Sequence, residues 1–171
     1  MKTGCGCAGA VSRRSMLGLF AGGGALLAAG GARAAGHADV LLLTCMDYRL
    51  VDETEAWMSG RGYRNNYDHI VLAGASLGAV TDVYPAWREA FWTHLDVAVK
   101  LHDIHTVVVL DHDDCGAYKV LLGEAAVEGG KAFPAHVAHL TRLRAEITAK
   151  HPHLKVELNV MALDGTVRPV A

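Results

Sequence analysis

Two short clusters in this sequence carry side chains able to hold a metal ion. Cys45, Asp47 and Arg49 alternate in Cys45-Met46-Asp47-Tyr48-Arg49. His112 and Cys115 stand three apart in His112-Asp113-Asp114-Cys115-Gly116. Two thiolates and an imidazole suit Zn²⁺, which is usually tetrahedral. Three protein ligands leave a fourth position open, the mark of a catalytic site. The spacing of His112 and Cys115, at a turn from strand to helix, lets both face one point. Arg49 is placed to hold Asp47 ionised in a bidentate pair. His-x-x-Cys alone is a weak signal; paired with Cys-x-Asp-x-Arg, each just past an apolar run, it is strong. A disulfide between Cys45 and Cys115 is the competing use of the cysteines. A plain ion pair is the competing use of Asp47 and Arg49. Asp111, Asp113 and Asp114 are candidates to orient His112 or to cap the following helix. His94, His102 and His105 are candidates for proton transfer or for satisfied, solvent-facing side chains. Tyr48 and Trp87 read as packing residues.

The elements that would position these clusters alternate along the chain. Asp39–Thr44 is a short apolar run, read as a buried strand. Residues 50–59 have a helical face (Leu50, Val51, Thr54, Trp57, Met58) ended by Gly60 and Gly62. Asp68–Ala73 reads as a second strand running into a loop over 74–78, and residues 82–102 form the longest helical pattern. His105–Asp111 is the strongest strand signal, followed by a loop from His112 to Ala117 and a helix to about Ala125. Gly129, Gly130 and Pro134 mark a surface loop. Residues 135–150 are helical, Leu154–Val160 alternates as a half-exposed strand does, and a last short strand follows the Asp164-Gly165 turn. This order predicts an α/β fold with a mainly parallel sheet flanked by helices. Ligands in such sheets bind beyond the carboxyl ends of the strands, which brings together residues 70 apart in sequence.

The two motifs resemble those of the β-class carbonic anhydrases. That family carries Cys-x-Asp-x-Arg after the first strand and His-x-x-Cys-Gly after a later one. The likeness runs over roughly residues 39–165 and is closest to the short members and the carbonic anhydrase-like branch. It implies one Zn²⁺ per chain on Cys45, His112 and Cys115, with Asp47 and Arg49 as the catalytic pair. It also implies reversible hydration of CO₂ to bicarbonate by a zinc-bound hydroxide, available because the metal lowers the pKa of its water to about 7. A homodimer or higher homo-oligomer is the expected assembly. In the family the aspartate can also swing onto the metal and close the fourth position. One departure stands out: Val71-Leu72-Ala73-Gly74 replaces the usual Arg-Asn-Ala-Gly. The backbone N–H groups of Gly74, Ala75 and Ser76, with Gly116, are the expected pocket lining. The apolar pair favours a substrate less polar than bicarbonate. Hydrolysis of COS or CS₂ is therefore the alternative enzyme reading, and a zinc module without catalysis the alternative of another class.

Residues 1–34 differ from the rest. They contain Lys2, Arg13, Arg14 and Arg33, no acidic residue, and an Ala/Gly/Leu-rich run ending in Ala32-Arg33-Ala34. This is the layout of a cleaved secretory leader, and the paired arginines resemble the twin-arginine type. The expectation is a signal peptide over 1–34, a single catalytic domain over 35–171, and a periplasmic location; Cys5 and Cys7 would leave with the leader. The whole chain has 16 basic and 18 acidic residues; without the leader's 4 basic residues, 12 remain against 18, a formal charge of −6. That argues against nucleic acid and anionic membrane as partners, and no stretch after the leader is long enough to span a bilayer.

Overall fold

The computed structural model describes residues 36–171; the expected leader, with Cys5 and Cys7, lies outside them. Two strands built on apolar runs, Val40–Leu43 and Val107–Leu110, form the heart of the sheet: β1 (Val40–Thr44) and β3 (Thr106–His112). β2 (Tyr67–Val71) and β4 (Lys155–Met161) pair parallel to them, and β5 (Val167–Val170) closes one edge antiparallel, giving the order β2-β1-β3-β4-β5. The predicted α/β class and mainly parallel sheet are present. The inner runs are continuous rather than alternating because both faces are covered. Leu41, Leu43, Val107 and Val109 pack against α3 (Pro85–His102) and α5 (Ala132–Lys150) through Phe91, Leu95, Leu140, Leu143 and Ile147. Val40, Leu42, Val108 and Leu110 meet Leu50 and Met58, the latter on α1 (Val51–Gly60). Leu43 is fully buried. Leu43→Ala is expected to cost about 2–5 kcal/mol through lost burial and the cavity left behind, read as a lower midpoint in urea unfolding with an unchanged slope.

Three expectations are corrected. The 74–78 loop is a tight turn followed by a buried short helix, α2 (Ser76–Val80). Five residues are too few to display a helical period. Gly78 permits the packing, since a Cβ there would stand 2.6 Å from the Ala73 carbonyl oxygen. The helix expected from residue 82 begins at Pro85, which supplies a preset φ at the first helical position and keeps Tyr84 out of the helical region. Finally, β4 does not alternate: Lys155 is exposed, whereas Leu158–Met161 are all buried. β5 lies alongside residues 158–161 only, so that half of the strand is interior and the other half is not.

Candidate metal centre

The strand order creates the site. From β1 the chain moves to β2 on one side, then crosses to β3 on the other, so the loops after β1 and β3 part and leave a crevice at the sheet's carboxyl edge. Cys45 follows the last residue of β1, His112 is the last residue of β3, and Cys115 is the residue before α4 (Gly116–Leu122). One ligand atom from each lies within 4.8 Å of the others, and among the described residues these three form the only such group of His, Cys, Asp and Glu.

The donors fit a zinc ion. The two sulfurs are 3.8 Å apart and both thiols are free. Two sulfurs each about 2.3 Å from a tetrahedral ion lie about 3.8 Å from one another, whereas a disulfide requires about 2.0 Å. The two cysteines are therefore spaced as metal ligands. His112 is almost fully buried. Its Nδ1 donates to the Asp113 carbonyl at 2.8 Å, so the lone pair of the neutral ring sits on Nε2. That nitrogen is buried without a hydrogen-bond partner, an arrangement costing about 1–3 kcal/mol unless something else satisfies it. A metal does so, and a carbonyl fixing the far ring nitrogen is the usual outer partner of a metal-binding histidine. Cys45, His112 and Cys115 thus make a Cys₂His site for one zinc ion per chain.

The local electrostatics prepare the ligands. The hydrogen bond from the Cys115 thiol draws Cys45 down to about 4 despite burial, helped by His112 and the Gly74 N–H. The same bond, together with burial, pushes Cys115 up. For His112, burial works against the charged form, but the Cys45 thiolate outweighs it and the net shift is upward. Zinc takes both cysteines as thiolates, so the proton their shared hydrogen bond holds leaves as the ion enters.

Asp47 and Arg49 form the expected pair. Arg49 donates through Nε at 2.9 Å and Nη2 at 2.8 Å to the two carboxylate oxygens, and its backbone N–H adds a third bond at 3.0 Å. These bonds hold Asp47 at about 2. Asp47 Oδ2 lies 3.8 Å from His112 Nε2, beside the three ligands yet outside their cluster. Arg49 also donates to the Asp114 carboxylate at 3.1 Å and the Asp114 carbonyl at 3.2 Å, clamping the loop after β1 to the loop after β3.

Several neighbours differ from expectation. No carboxylate caps α4. Asp114 binds Arg49 and Lys119, Asp113 takes Arg168, and Asp111 is turned into the interior. The Asp113 carbonyl, not a carboxylate, orients His112. Gly74, Ala75 and Ser76 do not offer free N–H groups to a substrate: these bond Cys45 Sγ, the Leu72 carbonyl and Asp111 respectively. Gly116 does line the cleft, a space of about 590 Å³ that Cys45, Asp47 and Arg49 also border. Tyr48 and Trp87 are not core packing. Both face that cleft, Tyr48 86% exposed and Trp87 stacked on Tyr84 at 4.3 Å. Tyr48 was findable from its place inside the first motif; nothing local marks Trp87. His94 and His102 are satisfied elsewhere, by the Ala90 carbonyl and Asp68, and neither they nor His105 border the cleft.

A family model described as "Putative carbonic anhydrase" matches residues 36–152, spanning both motifs. The chain belongs to that family. A protein of Rickettsia conorii, named only as uncharacterized, is 39% identical over 135 residues, covering 78% of this chain and 73% of its own. An uncharacterized protein of Rickettsia bellii is 36% identical over 135 residues, covering 78% and 82%. Among solved structures, a carbonic anhydrase from Glaciozyma antarctica superposes with a TM-score of 0.53 at 16% identity, covering 83% of this chain and 87% of its own. The β-carbonic anhydrase isoform I of Trichomonas vaginalis gives 0.51 at 17%, covering 79% and 83%. At such identities the likeness establishes the fold, which is that of the β-carbonic anhydrases.

Proposed function

We propose that this chain is a zinc-dependent carbonic anhydrase interconverting CO₂ and bicarbonate. The observation that carries the proposal is a three-ligand Cys₂His cluster with an ionised Asp47 beside it but not among the ligands. Zinc held there supplies a water acid enough to ionise near neutral pH. Asp47, kept charged and aimed by Arg49, accepts a hydrogen bond from the attacking oxygen and turns a lone pair toward carbon. Two thiolates weaken the Lewis acidity of the ion, which makes that orientation more valuable. Arg49 contributes by holding Asp47 in place, its guanidinium shared with Asp114.

Stopped-flow CO₂ hydration by the zinc-loaded protein across pH is the test. Activity is expected to rise through an apparent pKa of about 7–8.5. Asp47 is already ionised far below this range, so the rise does not report it. Absence of hydration with one zinc per chain would move the assignment to COS or CS₂, compared directly as substrates. The apolar cleft wall of Met46, Tyr48, Trp87 and Val120 favours that second reading; the Val71-Leu72 replacement does not, since neither residue borders the cleft.

The export assignment belongs to the same proposal. Ser12-Arg13-Arg14 ahead of an apolar run, a small-x-small end at Ala34 and the lack of acidic residues support a twin-arginine leader over 1–34, a single domain over 35–171 and a periplasmic location. Among the described residues no helix is long and apolar enough to cross a membrane. A homodimer or higher homo-oligomer rests on the resemblance alone.

A further inference from the structure

Asp111 is the most heavily hydrogen-bonded buried carboxylate among the described residues, and the proposed chemistry makes no use of it. It is 1% exposed. Its Oδ1 accepts the Ser76 N–H at 2.9 Å; its Oδ2 accepts the Ser76 hydroxyl at 2.7 Å, the Tyr118 hydroxyl at 2.7 Å and His136 Nδ1–H at 2.9 Å. The four donors come from three separate elements, α2, α4 and α5, while Asp111 itself sits on β3. A buried carboxylate is costly unless saturated in this way. Once saturated, it becomes a rigid junction.

The bonds to Ser76 and Tyr118, and the β3 backbone itself, each lead toward a metal ligand. Asp111 is the residue before His112. Tyr118 stands one helical turn beyond Cys115 and packs in one cluster with it and Leu77. Ser76 lies two residues past Gly74, whose N–H donates to Cys45 Sγ at 3.3 Å. His136 braces the junction from behind, its ring 4.0 Å from that of Tyr118. We infer that Asp111 is the positioning residue of the metal centre: through Ser76, Tyr118 and the backbone of β3 it sets all three ligands in place before the ion binds. The inference rests on the metal site and not on which substrate is turned over there.

The discriminating variant is Asp111→Asn, which keeps the side chain's shape but replaces an acceptor with an NH₂ donor. The Ser76 and Tyr118 hydroxyls can rotate to accept from it; the His136 N–H cannot. The experiment is titration of the metal-free mature protein with Co²⁺, read by its visible absorption, and Zn²⁺ affinity by competition with a chelator. Circular dichroism and thermal unfolding of the metal-free forms serve as controls. The native protein is expected to give a tetrahedral thiolate spectrum. Asp111→Asn is expected to bind zinc about 10–100-fold more weakly and to show altered Co²⁺ bands while its metal-free fold persists. Tyr118→Phe, which keeps the ring and removes one tether, is expected to move the spectrum in the same sense by less, and it decides the matter if Asp111→Asn does not fold. Native affinity and native Co²⁺ bands in a folded Asp111→Asn, or in Tyr118→Phe when the first variant is lost, would overturn the inference. Native Co²⁺ binding without CO₂ hydration would overturn the carbonic anhydrase reading and leave this one standing.

Discussion

Cys115→Ser is expected to strip the protein of zinc and abolish CO₂ hydration. The serine hydroxyl is nearly the size of the thiol and Cys115 is 4% exposed, so the fold should survive. What is lost is a ligand. Zinc is bound by thiolate, and a serine hydroxyl does not ionise in the pH range where the protein is folded. The remaining donors, Cys45 and His112, hold the ion from two sides only. Because outer partners of a metal are already worth about 10–100-fold in affinity, loss of a direct ligand is expected to exceed 100-fold. After dialysis against a chelator, zinc content should fall from one per chain to near zero. A variant that retains one zinc at native affinity would show that Cys115 is not a ligand. The charge state adds a sign. The hydrogen bond the two sulfurs share draws Cys45 down and pushes Cys115 up, so metal uptake must expel the proton that the pair holds. Native affinity should therefore weaken as pH falls.

Asp47→Asn should separate binding from turnover. Asp47 lies outside the ligand cluster, so zinc content should remain at one per chain. Hydration is expected to fall by about 10²-fold or more, within the range for a positioned group handling a proton. The amide cannot accept all three Arg49 bonds, because its NH₂ would face Nη2 at the 2.8 Å position, and it carries no charge to attract the attacking oxygen's proton. The rise of activity with pH should persist at a lower plateau, since the titrating group is not Asp47. Unchanged hydration would leave Asp47 and Arg49 as a plain ion pair. Loss of zinc would instead make Asp47 a fourth ligand and the centre closed. The acid limb has its own sign: Asp47 falls from 3.8 to about 2 in the fold. The pair's contribution to stability is thus complete above 3.8 and lost as pH drops through about 2.

The legible parts of this chain were those governed by local pattern. Val40–Leu43 and Val107–Leu110 are apolar without interruption because helices cover both sheet faces, and uninterrupted apolar runs between helical periods read as inner parallel strands. The metal ligands were legible because Cys and His at the ends of apolar strands and in the turns after them have few other uses that also account for Asp47 and Arg49. The illegible parts were set by neighbours far along the chain. Whether Leu158–Met161 alternates depends on where β5 stops. Whether the N–H groups of Gly74 and Ser76 face a substrate depends on Cys45 and Asp111 having claimed them.

The sequence by itself determined the ligand types, the strand-then-loop placement of both motifs, and the close pairing of Asp47 with Arg49, all of which depend on residues within a few positions of one another. Only the tertiary structure decided that Cys45 and Cys115 stand 3.8 Å apart as free thiols. It alone decided that Arg49 also grips Asp114 across 65 residues of chain, and that Asp111 points inward to join α2, α4 and α5. The reason is physical. A side chain's type limits which partners it accepts. Which partner arrives is fixed by the crossover that sets β1 beside β3 and by the burial that forces every polar group there to be satisfied.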